Sequence, residues 1–178
     1  MPKVYAISDT WFNRLLDDDP NANVIDNNDH MIDCWNDIVN KDDVVYVLGG
    51  FGIGDLYHIL VRLNGQIHFL DNYFNDDERQ FIQAMKECVN KSSDIGIKER
   101  IVFEPCQIKV LNDLDAVLSY FPLEDWSGKS TGTYCFHGLT DKISIDGHNI
   151  SCTSKGWDYM PLNLSDFQDG MKAIIEKL

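Results

Sequence analysis

Apolar runs of strand length alternate with stretches of helical periodicity from Lys3 to Asn90, and no other feature narrows the possible folds as much. "KVYAIS" (3–8), "DDVVYVLGG" (42–50) and "GQIHFLD" (65–71) read as strands. The second is apolar almost throughout, as expected of a strand covered on both faces of its sheet. Between them, residues 29–40 place Met31, Trp35, Ile38 and Val39 on one helical face, residues 55–63 read as a second helix, and residues 76–90 set Phe81, Ile82, Met85 and Val89 at helical spacing. This order predicts a parallel sheet with helices packed on it.

The second half has another pattern. Three short β-rich runs fall within residues 99–122 ("ERIVFEPCQIKVLNDLDAVLSYFP"), and "TYCFHG", "KISIDG" and "HNISCT" add three more, without helices between them. Strands in direct succession predict an antiparallel second sheet. A closing helix over residues 164–177 sets Phe167, Met171, Ile174, Ile175 and Leu178 at helical spacing. No repeat or linker interrupts the 178 residues, so one domain over residues 1–178 is expected, an α/β fold of two packed sheets flanked by helices.

The chain carries 29 acidic against 15 basic residues, a net charge of −14. Binding to a phosphate backbone rests on Lys and Arg, so direct contact with nucleic acid is not expected. A basic protein partner suits the charge, and the runs Asp17–Asp19 and Asn75–Glu78 add to it; the plainer readings are solvated loops and, for Asp76–Glu78, acidic residues favoured at a helix N-terminus. The five cysteines are widely spaced without a CxxC pair, which fits reduced, mostly buried thiols. No membrane-length apolar run occurs, and the N-terminus runs directly into a strand, so a cytoplasmic protein is expected.

In open α/β sheets ligands collect beyond the carboxyl ends of the strands. Those ends carry "SDTW" (8–11), "LGGF" (48–51), "LDNYF" (70–74), "SYFP" (119–122) and "HGLTDK" (137–142), followed by "NISCTSKGWDYMPLNL" (149–164). In this order the segments resemble the motifs of small calcineurin-like metallophosphoesterases, which read approximately SDxH, LGDF, RGNHD, SHxP and HGHxHG. The resemblance runs from about Val4 to about Phe167. It implies a four-layer α/β/β/α sandwich of two mixed sheets, and in its active members two divalent cations that clamp a phosphate ester and activate a bridging water.

Carried over by position, the resemblance puts retained ligands at Asp9 and Asn72. It puts Trp11 at an imidazole ligand, Gly50 at the carboxylate that bridges the metals, Tyr73 at the imidazole that protonates the leaving group, Tyr120 at a further imidazole, and Leu139 and Asp141 at the last two. His137 is kept but is not primarily a ligand. A dinuclear site therefore cannot form as the family builds it, and the expectation is a catalytically inactive member with no cofactor. Trp11, Tyr73, Tyr120 and Leu139 are expected to fill the vacated volume with mostly apolar matter. The function expected is protein binding, with Trp11, Tyr73, Phe74, Tyr120 and His137 as candidate contacts and a DNA-binding regulator met by a mobile-element inhibitor as the kind of partner. A residual one-metal phosphoesterase, with Asp9 and Asp141 holding Mn²⁺ or Mg²⁺ weakly, is the alternative.

Other constellations carry less. His30 and Cys34 share a helical face without a third ligand; Cys135 and His137 share a strand face, with a buried structural thiol favoured; "SGKSTG" (127–132) lacks the first glycine of a phosphate loop and reads as a surface turn.

Overall fold

The computed structural model describes residues 2–14, 23–139 and 148–167, and the backbone of residues 145–146. The acidic run Asp17–Asp19, Asp141 and the closing helix beyond residue 167 lie outside the described residues. The fold is mixed α/β, with two five-stranded sheets.

The first sheet has β1 (Val4–Ile7), β2 (Val44–Val47), β3 (Gln66–Phe69) and β4 (Ile101–Phe103) in parallel succession, and β10 (Leu162–Asn163) antiparallel against β1. α1 (Val24–Ile38), α2 (Tyr57–Leu60), α3 (Asp76–Lys91) and α4 (Ile95–Arg100) supply its connections. Alternate residues face opposite ways: Tyr5, Ile7, Val45, Val47, Ile67 and Phe69 join Met31, Trp35, Ile82 and Met85 of the helices in one core, while Ala6, Tyr46 and Leu48 point to the second sheet.

The second sheet runs β5 (Ile108–Leu111), β6 (Ala116–Ser119), β7 (Tyr134–His137), β9 (Asn149–Ser151) and β8 (Ile145–Asp146). Leu118, Phe136 and Ile150 meet the inner residues of the first sheet, so the two sheets share a core. On its outer face the loop over residues 121–133 is tied down where Asn149 Nδ2 donates to the Leu123 carbonyl, 3.2 Å away.

Several sequence-based expectations need correction. The second sheet is mixed: β6 pairs in parallel with β7, and β7 with β9. Its crossover from β6 to β7 is made of turns and a 3₁₀ segment, Lys129–Thr131, in place of an α-helix, so strand succession alone mimicked hairpins. The run at "IVF" joins the first sheet as β4, not the second. α1 begins at Val24 instead of Asp29, because Asn23 caps it by accepting the Ile25 N–H at 2.9 Å. Asn28 is buried in that helix, and Asn13 and Asn28 exchange hydrogen bonds of 2.9 and 2.7 Å, which turns an Asn-rich stretch into a packed element. α4 was not anticipated from the sequence; Asp94 caps it. Among the described residues no helix is long and apolar enough to cross a membrane.

Candidate functional site

The strand ends of both sheets converge on Asp9. It follows β1 with φ +55°, and Trp11 and Asn13 also adopt left-handed backbone, at +50° and +64°, so the chain turns sharply three times as it leaves the sheet. Asp9, Trp11 and Phe12 donate backbone hydrogen bonds to Gly49, Gly50 and Phe51, zipping this loop to the one after β2. The Asp9 carboxylate is held from three directions. Tyr120, beyond β6, donates its hydroxyl to Oδ1 at 2.8 Å; Ser8 donates to Oδ2 at 2.9 Å; and the Leu139 backbone N–H, beyond β7, donates to Oδ2 at 3.1 Å. Tyr120 is fully buried, and burial together with the Asp9 charge pushes its phenol far above its usual pKa, so it stays protonated and able to donate to Asp9. Tyr120→Phe removes one carboxylate donor without changing the ring volume. A loss of about 1–3 kcal/mol in urea-unfolding stability is expected, and a change within experimental error would show that the bond contributes nothing.

Gly50 has a steric explanation. Its φ is +68°, and a Cβ built there would lie 2.5 Å from Asp9 Oδ1 and 2.8 Å from Asp9 Cα. The neighbouring Gly49 would place a Cβ 2.8 Å from the Tyr120 ring. The loop carrying Asp9 and the Tyr120 ring occupy the space in which a side chain at these positions would lie. Asn72 is buried and donates through Nδ2 to the Gln107 carbonyl at 2.8 Å, joining the end of β3 to the start of β5. Among the described residues no three His, Cys, Asp or Glu side chains are grouped so as to hold a metal ion. Among the described residues, the donors around Asp9 do not fit the two cations that the resemblance implies.

Of Trp11, Tyr73, Tyr120 and Leu139, expected together beside Asp9, Tyr120 packs its buried ring there and the other three are placed differently. Leu139 is 40% exposed and contributes its backbone N–H rather than its side chain. Tyr73 turns away toward α3, donating its hydroxyl to Asp71 at 2.8 Å with the Arg79 guanidinium 5.1 Å from its ring centre. Burial, then the Asp71 hydrogen bond, push its phenol up to about 12. Trp11 is half-buried at the rim, edge-on to Phe74 at 5.2 Å and beneath the Arg14 guanidinium at 5.4 Å. Phe74 is 54% exposed. His137 is not a surface contact: it is buried on the outer face of the second sheet, with Nδ1 2.9 Å from the Gly138 carbonyl.

Two participants escaped the sequence. Phe121, edge-on to Tyr120 at 5.2 Å, is half exposed and extends the rim. Glu78 is buried in the first turn of α3, accepting the Phe51 N–H at 2.9 Å and the Phe74 N–H at 2.6 Å, so one carboxylate ties the loops after β2 and β3 together. Burial, the largest influence, lifts its pKa above the ordinary carboxylate value. The spacing Asn75-x-x-Glu78 was the available signal: Asn75 Oδ1 accepts the Glu78 N–H at 2.9 Å, the first half of a capping box.

The remaining constellations are structural. Cys34 Sγ lies 3.7 Å from His30 Nε2 with no third donor among the described residues to complete a metal site. Cys135 is buried, which raises its thiol pKa, against a role as nucleophile. In the "SGKSTG" turn, Gly128 and Gly132 are left-handed and the Lys129 ammonium sits 4.6 Å over the Trp126 ring.

No protein-family model matches the chain. A stretch of 79 residues is 35% identical to the uncharacterized protein MJ1445 of Methanocaldococcus jannaschii, covering 39% of this chain and 45% of that protein, so the match spans less than half the length of either. Among solved structures, the protein of unknown function AQ665 from Aquifex aeolicus is similar over 95% of this chain and 99% of that one, with a TM-score of 0.57 at 16% identity, a likeness of fold.

Proposed function

We propose that this chain is a catalytically inactive protein of the calcineurin-like metallophosphoesterase fold, an α/β/β/α sandwich, that acts by binding another protein at the strand ends around Asp9. The observation that carries the reading is the closure of Asp9: Tyr120, Ser8 and Leu139 donate to its carboxylate from both sheets, and Gly50 has no room for a side chain. What the strand ends offer outward is a rim of Trp11, Phe74, Phe121 and Leu139. Half-exposed aromatic side chains held by a rigid frame are good interface anchors, because little conformational entropy is lost when they are covered. The net charge of −14 favours a basic partner, with a DNA-binding regulator as the proposed type.

The test is capture with tagged protein in its native host, followed by titration of the purified partner. A basic protein is expected, bound more weakly as salt rises. The double variant Trp11→Ala, Phe74→Ala should weaken binding by at least about tenfold with the circular dichroism unchanged. Stoichiometric Mn²⁺ binding with metal-dependent phosphodiester cleavage, lost in Asp9→Ala, would replace this reading with the one-metal enzyme.

A further inference from the structure

A separate concavity has Tyr73, and not Asp9, in its wall. A cavity of about 210 Å³ opens between the carboxyl ends of β3 and β4 and the side of α3, with Phe69, Phe103 and Ile82 among its walls. The Phe69 and Phe103 rings are stacked on each other, 5.3 Å apart at 17°, and form an apolar aromatic wall. A cavity of roughly 150 Å³ accepts benzene, and sites for drug-sized ligands start at roughly 300 Å³. The space therefore suits a single aromatic ring with one substituent.

The polar groups are divided by side. On the helix side are Gln83 and Lys86, whose ammonium stands 5.3 Å from the centre of the Phe103 ring. Arg79, one turn before Gln83, lies over Tyr73, another wall of the cavity. Among the described residues neither Arg79 nor Lys86 forms a salt bridge. On the strand side the carboxylates are engaged: Asp71 accepts the Tyr73 hydroxyl at 2.8 Å, and Glu104 Oε1 is contacted by His68 Nδ1 at 2.8 Å and Lys109 Nζ at 2.9 Å. In a chain of net charge −14, one cation outside any salt bridge lines this ring-sized space, and a second stands over its Tyr73 wall.

We propose that this cavity is a binding site for a small planar aromatic molecule bearing one anionic group, with its ring against Phe69 and Phe103 and its anion at Lys86 on the α3 side. Apolar contact with the aromatic wall in a ring-sized space supplies the shape preference, and the ammonium supplies the charge preference. The site is separate from the rim around Trp11 and stands whether or not that rim binds a protein.

The experiment is titration of the isotope-labelled full chain by NMR with benzoate, phenyl phosphate and benzylamine. Saturable shifts of the amides of Leu70, Gln83 and Glu104 are expected with at least one of the two anions and not with benzylamine. The tighter of the two anions identifies the natural head group as carboxylate or phosphate. Lys86→Met should weaken binding by about tenfold, the loss of one charge-assisted contact, and Gln83→Trp, which places an indole over the opening, should abolish it. Gln83 is exposed and Lys86 half-buried, so neither substitution touches the core, and unchanged shifts elsewhere will show that the variants fold. Binding should persist in the Trp11→Ala, Phe74→Ala variant. Benzylamine binding as tightly as the anions, shifts centred on Trp11 and Phe74, or no saturable shift with either anion overturns the proposal.

Discussion

Gly50→Asp is expected to destabilise the protein by about 3–5 kcal/mol and to create no metal site. Two costs combine. The residue sits at φ +68°, where a side chain is strained, and its Cβ would meet Asp9 Oδ1 at 2.5 Å and the Asp9 backbone at 2.8 Å, so either the Asp9 loop or the loop after β2 must shift. Shifting either breaks the backbone bonds from Asp9, Trp11 and Phe12 that zip them together. The new carboxylate would also stand against the Asp9 charge. For a domain of this length the loss corresponds to a fall of roughly 10 °C in Tm. Gly50→Ala separates steric strain from charge. Gly132→Ala serves as the control: its φ is +100° but nothing lies within 4 Å of its Cβ, so only the conformational cost of about 1 kcal/mol is expected. A Gly50→Asp protein as stable as the parent and further stabilised by Mn²⁺ would overturn both the steric account and the reading of the cleft as closed to metals.

Glu78→Ala should cost about 2–4 kcal/mol, because it strands the buried N–H of Phe51 and removes the acceptor of the part-buried N–H of Phe74. The loops after β2 and β3 lose their shared tie, so faster amide exchange is expected at Phe51 and Phe74 before any other part of the sheet loosens. Glu78→Gln tests the electrostatics. The folded pKa of Glu78 is raised, so over the interval from the unfolded carboxylate value up to the folded one the native state binds more protons than the unfolded state. The stabilisation that this group contributes is complete below the unfolded pKa and is lost as pH rises through the folded one. The stability difference between the parent and Glu78→Gln, from urea titrations at several pH values, should therefore move against the parent as pH rises above the ordinary carboxylate value. A difference that moves the other way would mean that the two N–H bonds outweigh burial.

These two positions show where sequence reading succeeded and where it stopped. Gly50 stands out in the sequence because it follows a strand in a place where a carboxylate makes chemical sense; that a side chain there would collide with Asp9 depends on how two loops forty residues apart lie against each other. Glu78 looked like one of three acidic residues favouring a helix N-terminus, since nothing local reveals that the loops after β2 and β3 present their N–H groups to it. Tyr73 and Tyr120 are alike in type and in position after a strand, yet one fills the space beside Asp9 and the other turns toward α3.

By itself the sequence determined the alternating first half, the apolar faces of its helices, and the placing of "SDTW", "LGGF" and "LDNYF" at strand ends, because residue periodicity and strand direction are local properties of the chain. Only the tertiary structure decided that β6, β7 and β9 run parallel, that β4 belongs to the first sheet, and that Asp9 is closed over by Tyr120 and Leu139. Those outcomes rest on contacts between residues up to 130 positions apart, where pairing direction and side-chain rotation are chosen by the packing of both sheets at once.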